Sequence, residues 1–111
     1  MSIDNPTPQR LKAIRKKAKI SQKTLGIRVG IDESSASARM NQYEKGKHTP
    51  DISTLKRIAD ELDVPLNYFF CEDDVSAELA YLIKKLRQKD QKELVEHIKT
   101  LLNNQDLDAE N

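Results

Sequence analysis

The sequence predicts an all-α fold: five short helices followed by a two-helix C-terminal extension. Two patterns carry this reading. Apolar residues recur at helical spacing, most cleanly at Leu55, Ile58, Ala59 and Leu62 (i, i+3, i+4, i+7). Between such runs stand residues that start and stop helices: Thr7-Pro8 and Ser21 at openings, Gly30 and Gly46 at ends. With 111 residues, 37% hydrophobic and 33% charged, the chain supports one modest core rather than a deep cavity.

In chain order, residues 1–6 read as a flexible lead, and residues 7–71 as the main domain. Thr7 caps the first helix, with Pro8 at the first helical position, where a missing N–H does no harm. This helix runs to about Ala18, turning Leu11, Ile14 and Ala18 inward. Ser21 caps a second helix, Gln22 to Val29, which Gly30 stops. Gly26 lies in its middle, at a cost of about 1 kcal/mol relative to Ala. Either another helix crosses too closely there for a side chain, or the glycine is simply tolerated. The polar run Ile31 to Ser35 offers several caps, and the third helix is placed at about Ser35 to Lys45. Its Ala36, Met40 and Tyr43 face inward. Its other side carries short polar and amide groups where a solvated helix would carry long charged pairs. A fourth helix follows to Leu62, then a short fifth, LNYFF, whose Leu66, Phe69 and Phe70 are expected to close the core.

Glu72-Asp73-Asp74 makes an acidic opening for a sixth helix with Val75, Leu79, Leu82, Ile83 and Leu86. Asp90 caps a seventh with Leu94, Val95, Ile98, Leu101 and Leu102. Residues 72–103 are thus expected to form a helical hairpin, a candidate dimerisation element, and residues 104–111 a disordered tail. The alternative is a hairpin that merely caps the core.

Net charge is only +1, yet it is unevenly placed. Lys and Arg exceed Asp and Glu by eight over residues 1–57 and fall short by seven over residues 58–111. A basic first half can meet a polyanion while an acidic second half limits non-specific sticking; chance segregation is the plain alternative. The single Cys71 excludes an internal disulfide and a multi-cysteine zinc site. It reads as a small core or edge residue, with redox sensing as the sharper option. His48 and His97 lie in different elements without a second ligand at metal spacing, and no Gly-rich phosphate loop is present. Neither enzymatic activity nor a cofactor or metal is expected. With no signal-peptide pattern and no membrane-length apolar run, the expected location is the cytoplasm.

The segments LKAIRKKAKISQKTLG and YEKGKHTPDISTLKRIADELDVPLNYFF, flanking the third helix, resemble the Cro/repressor-type (xenobiotic-response-element type) helix-turn-helix transcriptional regulators over about residues 9–70. A Ser-Gln pair opening the second helix, an E-x-G-K end to the third and a Pro before the fourth carry the resemblance together. It implies a five-helix phage-repressor-like DNA-binding domain. One departure stands out: the span from Gly30 to Glu44 is about four residues longer than in compact phage members, and the surplus is assigned to the turn at Asp32–Ser35.

The resemblance implies site residues of two kinds, since phosphates position a protein and base edges inform it. Ser37, Ala38, Arg39, Asn41 and Gln42 are the expected base readers. Asn41 and Gln42 can make paired bonds to adenine, Arg39 can fork onto guanine, and Ala38 can meet a thymine methyl. Arg39 can equally clamp a phosphate or pair with Glu33, and Asn41 can point aside. Gln22 is expected to donate to a phosphate while its acceptor holds a neighbour. Lys23, Arg28, Lys45 and Lys47 are further phosphate candidates, with plain solvation as the alternative for each. Arg15 and Glu44 are expected to form a partly buried structural ion pair. The implied partners are double-stranded DNA and a second copy of the chain, placing two helices on an inverted repeat with half-sites roughly 34–36 Å apart. The rival reading is an antitoxin-type module that binds a toxin and represses its own operon.

Overall fold

Leu11 and Ile14, both buried, seat the first helix, α1 (Thr7–Lys17), in the middle of the molecule. The computed structural model describes residues 5–110. Among them all regular elements are helical: α1, α2 (Gln22–Arg28), α3 (Glu33–Glu44), α4 (Ile52–Leu62), a 3-10 helix (Leu66–Phe70), α5 (Asp74–Lys85) and α6 (Gln88–Glu110). The fold is all-α, as the sequence predicts.

Most boundaries follow from caps. Ser21 Oγ accepts from Thr24 N (3.0 Å), Asp51 from Thr54 N (2.7 Å) and Asp73 from Ser76 N (2.7 Å), each filling an orphan donor of a first turn. Gly30 ends the α2 segment at φ 93°, a left-handed backbone that glycine adopts without strain. The expected cap at Thr7 shifts by one residue to Pro6. The Thr7 hydroxyl is drawn instead to the buried carbonyl of Phe69 (3.2 Å), tying the start of α1 to the 3-10 helix. Of the lead, residues 1–4 lie outside the described residues.

α3 begins at Glu33, two residues earlier than expected. The surplus residues are therefore helix, not turn. Asp32 caps them, its carboxylate accepting from both the backbone N–H and the hydroxyl of Ser34. Glu33 supplies an acidic first turn, which suits the helix dipole.

The core joins α1 to α4 through Leu11, Leu25, Met40, Ile58, Val64 and Phe69, all fully buried. The 3-10 helix corrects one expectation. Tyr68 and Phe69 are buried, meeting edge to face at 5.6 Å, while Phe70 is 49% exposed. In a three-residue turn Leu66 and Phe69 eclipse one another and Phe70 rotates about 120° away.

α5 packs on the body through small residues. Its alanines, Ala77 and Ala80, are buried against the body, while Val75, Leu79 and Leu82 face out at 69%, 54% and 49% exposure. Small residues let the helix approach closely. Arg10 then pins its start, donating to Cys71 O (2.8 Å) and pairing with Asp74 (2.9 Å). Lys85 pins its end on Asp63, through the backbone oxygen (2.9 Å) and the carboxylate (2.7 Å). α6 does not fold back into the expected hairpin. Gln91 Nε2 donates to Ile83 O (2.8 Å), and none of the described side chains of α6 is buried. The helix also continues to Glu110 where a tail over 104–111 was expected. The Cα radius of gyration is 17.1 Å, against about 13 Å for a compact chain of this length, because α6 stands away from the body.

The capping carboxylates have a pH consequence. Backbone donors of Thr54 and Ser76 hold Asp51 and Asp73 below the ordinary carboxylate range, and Ser34 does the same to Asp32. A depressed pKa contributes stability that is present above the unfolded value, near 3.9, and lost as pH falls through the folded one. Thermal midpoints are thus expected to drop between pH 5 and pH 2.5. Asn caps as well as Asp but does not titrate, so a variant carrying D32N, D51N and D73N should show a flatter acid limb. An unchanged limb would contradict the assignment.

Candidate nucleic-acid interface

α2 and α3 meet at a tight corner, and Gly26 is what permits it. A Cβ placed on Gly26 would stand 2.8 Å from Ala36 Cβ and 2.9 Å from Ala36 O. Of the two sequence readings of this glycine, the close crossing is the one seen. The crossing presents the far side of α3 to solvent.

On that side Ser37, Ala38 and Arg39 are exposed and Asn41 and Gln42 half-buried, while Ala36, Met40, Tyr43 and Glu44 face the body. None of the expected base-reading residues is therefore packed into the core. The earlier start adds Glu33 and Ser34, both exposed, to the same helix. Sequence reasoning missed them, although Asp32-Glu33 is a recognisable helix opening. Beyond α3, Gly46 turns the chain at φ 74°, and the N–H groups of Lys47 and His48 return to Gln42 O (2.9 and 3.4 Å). That loop sets Lys45, Lys47, His48 and Thr49 on the surface, and an open depression beside Arg39 is lined by Gln42, Tyr43, His48 and Thr49. His48 and Thr49 are donors beside the site that the sequence reading did not include.

The cations divide into two groups. Arg39, Lys45 and Lys47 have no acidic partner among the described residues. Glu33 pairs with Lys23 (3.6 Å) and not with Arg39, and Arg28 pairs with Glu61 of α4 (3.1 Å). These two candidate phosphate ligands would have to exchange a carboxylate for a phosphate.

Behind the surface, Arg15 forks onto Glu44. Its Nε donates to Oε2 (2.5 Å) and its Nη2 to Oε1 (2.9 Å), and the side chains are 12% and 1% exposed. Arg15 Nη1 also donates to Ile20 O (2.9 Å). Hydrogen bonding to Glu44 raises the guanidinium pKa, so the charge is permanent. Gln22 departs from expectation in its polarity. Its Nε2 donates inward, to Asn41 Oδ1 (3.2 Å) and Glu44 Oε1 (3.1 Å), so both amino hydrogens are engaged and the carbonyl oxygen is left outward. The bracing role is present, but the donor expected for a phosphate is in use.

No helix among the described residues is long and apolar enough to cross a membrane, and among them no group of three or more His, Cys, Asp or Glu is placed to hold a metal ion. Cys71 is half-buried, its Sγ 3.3 Å from Asn67 O.

Comparison with known proteins points the same way. A family model described as a helix-turn-helix domain matches residues 9–74. A solved structure, the crystal structure of transcriptional regulator BswR, superposes with a TM-score of 0.83 at 47% sequence identity, covering 88% of this chain and 97% of that one. Among curated proteins no significant match is found.

Proposed function

The chain belongs to the helix-turn-helix family of transcriptional regulators, and on that premise we propose that it reads a specific double-stranded DNA site as a homodimer, with α3 in the major groove. The observation that carries the reading is the outward face of α3. Ser37 and Ala38 let the helix backbone approach a surface closely, and Arg39 beside them has no acidic partner to compete for it. In the major groove Arg39 forks onto guanine and Gln42 pairs with adenine. Lys45 and Lys47, past the C-terminal end of α3, take phosphates and fix the register.

One α3 reads too few base pairs for specificity, so a second copy is part of the proposal. Beside the outward apolar residues of α5, α6 exposes Val95, Ile98, Leu101 and Leu102, at 43–52%. Two such stripes packed together supply a dimer interface that leaves α3 free. Removing α5 would strip Ala77 and Ala80 from the core, so the interface is better tested by charge than by truncation. A full-length variant carrying I98E and L101E is expected to sediment as a monomer with unchanged helical content.

DNA reading is tested by fluorescence anisotropy on duplex recovered from a randomised pool. We expect an enriched inverted repeat and a log–log salt slope of about −0.9 per phosphate contacted. The dimer-breaking variant should bind the full repeat no better than a half-site. Absence of enrichment at every salt concentration would overturn the proposal. A dimer that survives I98E and L101E would place the interface elsewhere.

A further inference from the structure

The hydrogen bonds around Glu44 hold α1 to α3, and they also decide which way two amides on the DNA-facing side point. The nitrogen and oxygen of an amide are distinguished by their partners. Glu44 is a buried carboxylate, able only to accept, and its Oε1 lies 3.1 Å from the terminal group of Gln22. Rotating Gln22 by half a turn would set its carbonyl oxygen against that carboxylate with no proton between them. The Gln22 amino group is therefore fixed inward.

Its second hydrogen meets Asn41 Oδ1 at 3.2 Å. Turning Asn41 would oppose two amino groups, so the Asn41 orientation is fixed as well. Arg15 and Gln22 thus both donate to Glu44, and Gln22 donates through its other hydrogen to Asn41. What emerges at the surface is the Asn41 amino group, without an acceptor among the described residues, and the Gln22 carbonyl oxygen, without a donor.

We propose that Asn41 is a specificity-determining residue that reads DNA as a donor, and that Glu44, acting through Gln22, sets this choice. The inference rests on the DNA-reading assignment above. A paired bond to adenine needs a donor and an acceptor side by side, and in this arrangement the Asn41 oxygen is turned back toward α2. The edge that suits an outward amino group is guanine, whose N7 and O6 both accept; the edge that opposes it is cytosine, whose N4 donates. Gln22 is a positioning residue in this scheme, since it acts on DNA through the orientation of Asn41.

The test is selection from a randomised duplex pool with the full-length protein and two variants, N41D and Gln22→Ala, each checked for folding by its thermal midpoint. N41D keeps the oxygen that Gln22 requires and replaces the outward donor with an acceptor. At one position in each half-site the preference is expected to change from guanine to cytosine, with the other positions unaltered. Gln22→Ala frees the Asn41 amide to turn, and discrimination at that same position is expected to fall tenfold or more. A purely structural role would weaken binding to all sequences alike and leave the preference at that position intact. Should N41D select the same base as wild type at every position of an enriched site, the role of Asn41 falls while DNA reading stands. Should the wild type enrich no site, both fall.

Discussion

Glu44→Gln is expected to lower the unfolding free energy by about 3–5 kcal/mol, the usual result of removing one member of a buried ion pair. The geometry places this pair at the costly end. Glu44 is 1% exposed and accepts on both oxygens, while Arg15 uses three nitrogens on Glu44 and the Ile20 carbonyl. A glutamine in its place turns an amino group toward the guanidinium and takes away one of that charge's three acceptors. Domains of this size have about 5–15 kcal/mol in total, and each kcal/mol moves the midpoint by about 4–8 °C. Circular dichroism melts should therefore separate the variant from wild type by well over 10 °C. By contrast, Asp74→Ala removes a pair whose carboxylate is 98% exposed and should change the midpoint little. Replacing both members of the buried pair, Arg15→Met with Glu44→Leu, should recover much of the loss, because no charge is then stranded. A Glu44→Gln protein that melts with the wild type would mean that the pair contributes nothing net.

How much of this was legible from residues alone depends on what kind of force places each part. α4 was readable in full, because its four inward residues repeat at helical spacing and Asp51 caps it. The Arg15–Glu44 pair came from the resemblance and is present in the structure. The start of α3 was misplaced because Asp32, Ser34 and Ser35 are all competent caps. What separates them is which side chain reaches a first-turn N–H, a matter of ångströms rather than residue type. In α5 apolar size is not the measure of burial. Its large residues form an apolar face that the described chain does not cover, and its two alanines are what fits against the body. The Gln22 amide shows a further limit. Spacing can place it beside α3, but only the acceptor-only carboxylate beneath it decides which end points outward.

Gly26→Ala is the second substitution expected to act strongly, and here two effects of opposite sign compete. Alanine favours the middle of a helix by about 1 kcal/mol over glycine. Against this, the new Cβ would lie 2.8 Å from one Ala36 atom and 2.9 Å from another, and the second is a backbone oxygen that cannot swing aside. Over-packing of this kind costs about 1–3 kcal/mol. Because backbone must move, the upper part of that range applies, and the net expectation is a loss of stability by several degrees in the thermal midpoint. DNA reading should suffer more than stability does. The relief available to the structure is to move α2 away from α3, which stretches the 3.2 Å bond from Gln22 to Asn41 and tilts the surface that α3 presents. Affinity for the selected duplex is accordingly expected to fall at least tenfold at temperatures where the variant remains folded. Adding Ala36→Gly removes one of the two clashing atoms and should return part of the binding even though a second helical glycine lowers intrinsic helix stability. A Gly26→Ala protein more stable than wild type, with unaltered affinity, would mean that the crossing is looser than the structure has it.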